Sequence, residues 1–225
     1  MSRNNMPLDV AIVDYQMSNL HSVQAACNAV GIRSEITSDP HKILEANSAI
    51  LPGVGAFGES MMNLKRLKLD DCIYQFIDSR KPFVGICLGM QLLFRESEEF
   101  GTNSGLGIIN GSVKRFIFDS KSTIKFPIPQ IGWNQINQAG ISWNKTLLKD
   151  NDDKDYMYFV HSFHVVLDDA GKSIASTTYG STTYCSALIH ENVFAIQFHP
   201  EKSGPKGIKI YSNLKSQIDQ ELKNG

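Results

Sequence analysis

Two short segments of this 225-residue chain carry side chains suited to nucleophilic catalysis, and the first contains Cys87. This cysteine lies within Gly85-Ile-Cys-Leu-Gly89, between a predicted strand (Pro82–Ile86) and a predicted helix (Leu88–Phe94). Such a strand–turn–helix elbow exposes the side chain for attack, and the helix N-terminus favours its thiolate. The backbone amide of Leu88 would then face the developing oxyanion. The alternative interpretation is a buried structural cysteine between two packing glycines.

The second segment supplies a base and a group to orient it. An apolar strand predicted over Phe194–Phe198 ends in His199-Pro-Glu201. The imidazole of His199 could take the thiol proton and return it to the leaving group, while Glu201 could fix the ring tautomer. Taken alone, these residues could also form a solvated surface turn. The other histidines are expected on helix surfaces, in a turn or in structural roles: His21, His41, His161, His164 and His190.

A glycine-rich loop and a glutamine complete the set of candidate site residues. Pro52-Gly-Val-Gly55 follows a predicted strand and precedes a helix, and its glycines allow backbone amides to turn towards an oxyanion. A phosphate-binding loop is the rival, but the Lys-Ser/Thr pair of a Walker motif does not follow. Gln91, one helical turn after Cys87, could bind the amino-acid end of a substrate. Its alternative is an ordinary helix-surface glutamine.

The elements that must position these residues change character along the chain. In the first half, predicted strands alternate with predicted helices, which favours an open, mostly parallel sheet with helices on both faces. The second half is mostly predicted strands, among them Leu106–Phe116, Trp133–Ile136, Asp155–Val166, Ser173–Tyr179 and Thr183–Ile189. A C-terminal helix would cover the sheet with the stripe Ile208, Tyr211, Leu214, Ile218 and Leu222. We predict an α/β fold whose mostly parallel central sheet carries added antiparallel strands in the second half. We also predict one domain over residues 1–225, with Ser112–Pro129 as its least ordered stretch.

Composition excludes several classes of function. Lysine plus arginine number 22 and aspartate plus glutamate 23, a balance that gives no support for nucleic-acid or membrane-surface binding. No apolar stretch is long enough to span a bilayer, and the N-terminus lacks a secretory h-region, so a cytoplasmic location is expected. Four cysteines without a C-x-x-C pair give no metal-type spacing, and neither a metal nor another cofactor is expected.

The motifs together resemble a known family. Gly85-Ile-Cys-Leu-Gly-Met-Gln91 and Phe198-His-Pro-Glu201 are similar to the signature of class I, or triad-type, glutamine amidotransferases. Further motifs resemble the glutaminase subunits of imidazole glycerol phosphate synthase, of histidine biosynthesis: Asp14-Tyr15 with Asn19-Leu20, Pro52-Gly-Val-Gly-Ala-Phe57, Gly132-Trp-Asn134 and Tyr158-Phe-Val-His-Ser162. These matches run from Val10 to about Ser203, which is nearly the whole chain.

The resemblance implies a reaction, a partner and specific roles. Cys87, His199 and Glu201 would form a triad that hydrolyses glutamine, and the ammonia would pass to a (β/α)8-barrel cyclase subunit in a heterodimer. By resemblance, the oxyanion strand comprises Gly53, Val54 and Gly55. The expected glutamine contacts are Gln91, Ser162 and Phe163. The residues expected to face the partner are Asn19, Ser22, Tyr158 and Lys202.

The chain departs from the family pattern at Gln16, Ser18, Gln130 and Phe163, where glycine, glycine, histidine and tyrosine are usual. None of these positions belongs to the triad, but the first two lie beside Asn19. A related glutaminase that supplies ammonia to a sugar-amidating synthase of surface polysaccharide biosynthesis is therefore an alternative. A non-catalytic interaction module and a cysteine peptidase on a similar fold are the other hypotheses.

Overall fold

The computed structural model describes residues 7–16, 19–118 and 126–224. In chain order, its strands are β1 (Val10–Val13), β2 (Ser34–Thr37), β3 (Ser48–Leu51), β4 (Phe83–Ile86), β5 (Phe94–Ser97), β6 (Asn103–Ser104), β7 (Ile109–Arg115), β8 (Gln130–Gln135), β9 (Asn137–Gln138), β10 (Tyr156–His161), β11 (Phe163–Leu167), β12 (Ser173–Tyr179), β13 (Thr182–His190) and β14 (Val193–Ile196). The helices are α1 (Leu20–Ala29), α2 (Pro40–Glu45), α3 (Phe57–Arg66), α4 (Leu69–Asp78), α5 (Leu88–Leu92) and α6 (Gly204–Asn224).

The central sheet has the strand order β2-β1-β3-β4-β14-β13-β12-β9. Strands β2, β1, β3, β4 and β14 are parallel, whereas β13, β12 and β9 extend the sheet in antiparallel fashion. The predicted mostly parallel sheet with added antiparallel strands is therefore present.

Both faces of the parallel part are buried, as its apolar strand sequences require. Along β1, Val10 and Ile12 belong to one apolar cluster, and Ala11 and Val13 belong to the other. Helices α1 and α6 cover the first face, whereas α2, α3, α4 and α5 cover the second. Alternate side chains of a strand point to opposite faces, so a continuous apolar run is stable only where both faces are covered.

The order of the parallel strands brings the candidate site residues together. Strand β4 lies between β3 and β14, and all three are parallel. Their carboxyl ends therefore share one edge of the sheet, where ligands bind in open α/β folds. The Pro52–Gly55 loop follows β3, Cys87 follows β4, and His199 follows β14 by a few residues. Residues far apart in sequence thus meet at adjacent strand ends.

The second half also builds two smaller sheets, β10-β8 and β11-β7-β5-β6. The single strand predicted over Asp155–Val166 is wrong, because the chain bends at Ser162 between β10 and β11. Each part pairs with a different strand: β10 with β8, and β11 with β7. The carbonyl oxygen of Ser162 accepts a hydrogen bond from the amide of Phe116 at 3.1 Å, which fixes the bend.

Several predicted element boundaries also need correction. The helix predicted over Leu88–Phe94 ends at Leu92, because Phe94 is buried in β5 and pairs with Ile109 of β7. The strand predicted from Leu106 begins only at Ile109. At the C-terminus, Leu222 is 57% exposed and does not belong to the buried stripe of α6, whereas Ile210 does.

Two predictions touch residues that are not described. Ser112–Arg115 of the stretch expected to be least ordered lie in β7, and residues 119–125 lie outside the described residues. Ser18 also lies outside them, and Asn19 occupies the N-cap position of α1. In the described ranges, no helix has both the length and the apolar character that a membrane crossing requires.

Candidate active site

Cys87 occupies the sharp turn between β4 and α5 that the sequence predicts. Its backbone has φ 54° and ψ −110°, a positive-φ conformation that is strained for any residue with a Cβ atom. The amide of Cys87 donates to the carbonyl oxygen of Ile196 in β14 at 2.8 Å, which anchors the turn to the sheet. Gly89 permits the close approach of α5, since a Cβ atom there would lie 1.8 Å from the carbonyl oxygen of Leu51.

The sulfur of Cys87 opens into a pocket of about 230 Å³, small enough to suit a free amino acid rather than a larger ligand. The pocket lies between the carboxyl edge of the sheet and the bend at Ser162. Its lining comprises Val54, Gly55, Cys87, Leu88, Gln91, Glu99, Pro129, Val160, His161, Ser162 and Phe163. Most of the predicted oxyanion and glutamine-contacting residues therefore surround the candidate nucleophile.

His199 and Glu201 form a buried hydrogen-bonded pair. Nδ1 of His199 lies 2.8 Å from Oε1 of Glu201, and their side chains are only 1% and 0% exposed. Because an ionised carboxylate can only accept, Nδ1 carries a hydrogen and Nε2 is left to exchange the thiol proton. The turn Pro200–Lys202 is a short 3₁₀ helix that holds the two residues in this relation.

The electrostatics of His199 link it to Cys87. Burial alone would lower the pKa of His199, but the Cys87 thiol and the Glu201 carboxylate outweigh it and raise the pKa to about 10. A raised pKa favours the protonated imidazole, the form that can give a proton to a leaving group. Nε2 is buried and has no well-formed hydrogen bond to any described residue. Nucleophile–base hydrogen bonds are often long or poorly aligned before substrate binds, so the absence of a bond at Nε2 is compatible with His199 as the base.

His161 is the other histidine beside the pocket, and its environment is that of a structural residue. Its Nδ1 lies 2.7 Å from the carbonyl oxygen of Phe163, and its Nε2 lies 3.2 Å from the hydroxyl of Tyr184. Burial is the main cause that lowers its pKa to about 3. Both nitrogens are engaged and the ring stays neutral, in keeping with the structural role expected from the sequence.

The expected oxyanion donors fall into two groups. Val54 and Gly55 line the pocket directly, and the amide of Leu88 opens α5, where no preceding helical carbonyl can satisfy it. Gly53 is buried and does not line the pocket. A Cβ atom at Gly53 would lie 2.2 Å from the hydroxyl of Tyr15, so glycine is needed there for packing.

Gln91 connects the nucleophile's helix to the opposite wall of the pocket. Its side-chain Nε2 donates to the carbonyl oxygen of Phe163 at 2.9 Å and to Oε1 of Gln197 at 3.0 Å. Both amide hydrogens are then used, and only the oxygen of Gln91 is left to accept a donor from a ligand. Gln197, which the sequence reasoning missed, donates to the sulfur of Cys87 at 3.6 Å. The available signal was a single glutamine within the apolar segment predicted as a strand over Phe194–Phe198, and the structure buries this side chain fully.

Glu99 is a second pocket residue that the sequence reasoning missed. Its carboxylate lines the pocket and accepts a hydrogen bond from the amide of Phe57 at 2.6 Å. It follows β5, a strand that the sequence patterns did not predict. A carboxylate beside Gln91 gives the pocket a group that can bind an ammonium.

The four residues expected to face a partner lie around the His199–Glu201 pair. Asn19 is half-buried, and its side chain donates to Glu201 at 2.6 Å. Ser22 is exposed in a groove that also includes Glu201. Lys202 is exposed in the 3₁₀ turn, and Tyr158 packs edge-on against Trp133, with ring centroids 6.1 Å apart. Among the described residues, no cluster of three or more acidic, histidine or cysteine side chains could hold a metal ion.

Comparison with known families identifies the class of enzyme. The model of the class-I glutamine amidotransferases matches residues 11–215. This chain belongs to the class-I glutamine amidotransferase family. Similar relatives of this amidotransferase include the imidazole glycerol phosphate synthase subunit HisH of Sulfurimonas denitrificans, 46% identical over 205 residues that make up 91% of this chain and 96% of the relative. The subunit of the same name from Trichormus variabilis is 42% identical over 96% of this chain and 99% of that relative.

Solved structures show the same fold. PurLQS from Thermotoga maritima matches with a TM-score of 0.71 and 20% identity over 95% of this chain and 100% of that chain. The glutaminase domain of Trypanosoma brucei CTPS matches with a TM-score of 0.58 and 15% identity, covering 94% of this chain and 93% of that chain. At such identities the likeness concerns the fold alone. It confirms the predicted class-I amidotransferase fold.

Proposed function

We propose that this chain is the glutaminase subunit of an imidazole glycerol phosphate synthase. It hydrolyses glutamine to glutamate and ammonia and supplies the ammonia to a (β/α)8-barrel cyclase subunit in histidine biosynthesis. The observation that carries the proposal is the position of Cys87, whose sulfur lines a small pocket and also acts on the buried His199–Glu201 pair. The nearly full-length relatives named as synthase subunits favour this role over ammonia supply to a sugar-amidating synthase.

The proposed reaction uses Cys87 and His199 in two half-reactions. The thiolate attacks the side-chain amide carbon of glutamine, and the new C–S bond pushes charge onto the amide oxygen. The imidazolium of His199 then protonates the leaving nitrogen, the C–N bond breaks, and ammonia departs from a thioester. In the second half, His199 takes a proton from water, which attacks the thioester. The C–S bond breaks, glutamate leaves, and the thiolate of Cys87 and the imidazolium of His199 are regenerated.

The pocket supplies the groups that this reaction needs. In the proposal, the amides of Leu88, Val54 and Gly55 stabilise the oxyanion, and Gly53 supports them from behind. The α-amino end of glutamine is bound by Glu99 and by the free oxygen of Gln91. Ser162 and Phe163 form the facing wall, with the carbonyl oxygen of Phe163 holding Gln91 in place.

An exposed apolar surface beside the triad supports the proposed partner. On the outward face of the β8–β10 pair, Ile131 is 61% exposed, Trp133 56% and Tyr156 54%. Such a patch is typical of a protein interface. Tyr158 lies on the same face, and its carbonyl oxygen accepts the amide of His199 at 2.9 Å. We place the cyclase here, with Asn19, Ser22 and Lys202 at its rim. The expected cytoplasmic location remains part of the proposal.

Replacement of the nucleophile tests the proposal. In the assembled synthase, Cys87→Ala is expected to abolish glutamine-dependent synthesis, because no thioester can form, while synthesis driven by added ammonium salt continues. Steady-state rates with each nitrogen source give the comparison. Cys72→Ala, which removes a buried thiol from α4 away from the pocket, should leave both rates unchanged. Glutamine-dependent synthesis by Cys87→Ala, or loss of the ammonium-driven reaction, would contradict the proposed role.

A further inference from the structure

The carboxylate of Glu201 has a second hydrogen-bond donor besides His199. Nδ2 of Asn19 lies 2.6 Å from Oε1 of Glu201, the same oxygen that accepts from Nδ1 of His199. The Glu201 side chain is fully buried, and its other oxygen, Oε2, has no partner among the described residues. The direction of this carboxylate is therefore set by Asn19 on one side and by His199 on the other.

The backbone of Asn19 is arranged for this contact at the expense of an ordinary helix cap. Asn19 occupies the N-cap position of α1, where asparagine side chains usually accept a backbone N–H of the first turn. Here the side chain makes no cap hydrogen bond, and the backbone is left-handed at φ 81° and ψ 7°. Asparagine tolerates that region better than most residues. The conformation directs the amide to Glu201 instead of to the helix.

A buried carboxylate that must stay ionised needs donors around it. The other titratable groups facing the Glu201–His199 pair are Cys87, His161 and Tyr211. In the part of the chain that the structure describes, none of these three donates to the carboxylate, and the hydroxyl of Tyr211 is itself without a partner. Asn19 is thus the group that keeps a hydrogen bond to the Glu201 carboxylate when the imidazole moves during proton transfer.

We propose that Asn19 is a positioning residue of the catalytic site: its amide holds the Glu201 carboxylate in the direction that keeps Nδ1 of His199 protonated and Nε2 aimed at Cys87. This inference rests on the proposed function and extends it from a triad to a chain of four residues. The role is separate from the partner contact that the sequence implies for Asn19. Both can coexist, since the residue is half-buried at the start of α1.

The test measures the reactivity of Cys87 in the full-length chain, so that glutamine turnover is not needed. Alkylation of Cys87 by iodoacetamide is followed from pH 5 to 10, with the modified peptide quantified by mass spectrometry. Asn19→Gly removes the amide and tolerates the left-handed backbone. Without the Asn19 amide, the Glu201 carboxylate is less well oriented towards His199 and stabilises its imidazolium less. The thiolate of Cys87, which that imidazolium stabilises, then forms only at higher pH. The alkylation profile should move to higher pH by about one unit, with alkylation near neutral pH roughly tenfold slower.

Two variants make the outcome specific. Lys68→Gly is a matched control, because Lys68, like Asn19, is a left-handed N-cap without a side-chain cap hydrogen bond, but it is exposed at the start of α4. Its profile should equal the wild type. Glu201→Gln sets the reference shift, which should be in the same direction as that of Asn19→Gly and larger. An Asn19→Gly profile that superimposes on the wild type while Glu201→Gln shifts would overturn the inference.

Asn19→Asp provides a second measurement in case Asn19→Gly fails to fold. Aspartate has the same shape and tolerates the backbone, but it places a second carboxylate against Glu201. Its kcat for glutamine in the assembled synthase should fall at least tenfold with KM little changed, and an unchanged kcat would contradict the inference. Failure of the wild-type synthase to hydrolyse glutamine would instead contradict the proposed function, and the alkylation profiles would still report on Asn19.

Discussion

Two carboxylates near Cys87 have different surroundings and therefore different proposed tasks. Glu201 is fully buried and is bonded to His199 and Asn19, so its charge acts on the base. Glu99 lies at the pocket wall, partly exposed, where it can meet the ammonium of an incoming amino acid. Environment alone separates the two roles, as it does wherever one site uses a pair of acids.

Neutralising Glu99 should weaken glutamine binding without slowing the chemistry. In Glu99→Gln, the amide can still accept from the backbone of Phe57, but it loses the charge that binds the substrate ammonium. We expect KM for glutamine to rise roughly tenfold, with kcat changed less than about threefold. The measurement is steady-state glutaminase kinetics of the assembled synthase.

Glu96→Gln is the matched control for this prediction, since Glu96 is an exposed carboxylate on the neighbouring strand β5. Its KM should stay at the wild-type value. An equal rise in both variants would show that general electrostatics, and not a contact in the pocket, governs substrate affinity.

Residue-scale prediction from the sequence succeeded for local patterns and failed for contacts between distant segments. The Cys87 elbow and the His199–Glu201 pair are each encoded within a few residues, so their spacing predicts the turn and the hydrogen-bonded pair that the structure has. The bonds of Gln197 to Cys87 and of Asn19 to Glu201 depend on which loops meet at the sheet edge. No local pattern contains that information.

Among the elements, the β4–α5 turn imposes the strictest packing demand. Strand β4 passes into α5 without a loop, and α5 therefore begins against the end of β3. Gly89 is the point of contact, where a Cβ atom would overlap the carbonyl oxygen of Leu51. The backbone of a buried strand cannot move away cheaply, because its hydrogen bonds hold it in the sheet.

Gly89→Ala should therefore displace α5 and destabilise the fold. We expect a loss of more than about 3 kcal/mol in the free energy of unfolding, from overpacking combined with lost ladder hydrogen bonds. Thermal and urea denaturation measure it. Gly31→Ala is the control: it also adds a methyl group, but into open space at φ +76°, and should cost only about 1–2 kcal/mol. Equal costs would refute the packing explanation.

The elements of the parallel sheet were predictable because buried strands and amphipathic helices leave distinct apolar patterns. The strands in the second half of the chain were harder to predict. The Asp155–Val166 segment has apolar residues on both parities, and nothing in it marks Ser162 as a bend between two sheets. Short strands such as β6 and β9 were missed, since two residues carry no periodicity.

Across the whole molecule, one sheet unites the two halves of the chain. Strands β1 to β4 from the first half form one side of this sheet, and β9, β12, β13 and β14 from the second half form the other side. We propose on this basis that residues 1–225 act as a single domain. The apolar outer face of β8 and β10 lies at the side of this domain, next to the triad, where a docked subunit could receive ammonia.

Trp133→Ala should weaken the complex with the proposed cyclase subunit while leaving the isolated chain folded. Exposed tryptophans at interface centres often contribute about 2 kcal/mol, which corresponds to a roughly 30-fold rise in Kd. Isothermal titration with the purified cyclase gives Kd, and the melting temperature of the free chain should change little.

Met62→Ala is the control for the docking surface, because Met62 is 66% exposed on α3, which covers the other face of the sheet. Its Kd should equal that of the wild type. Weakening by Met62→Ala and not by Trp133→Ala would place the partner on the opposite side of the molecule.

The anchoring of Cys87 to β14 has a consequence for how such an enzyme can be switched. Its amide donates to the carbonyl oxygen of Ile196 between two central strands, so the backbone that carries the nucleophile is held in the sheet. A partner or an effector cannot shift this backbone without breaking hydrogen bonds in the middle of the sheet. Any adjustment of the site has to come from its surroundings. It can act through the Val54–Gly55 loop, or through the hydrogen bond by which the carbonyl oxygen of Tyr158 holds the backbone of His199. Related enzymes can accordingly differ in partner and effector through residues around the site, while the backbone at the nucleophile keeps its position.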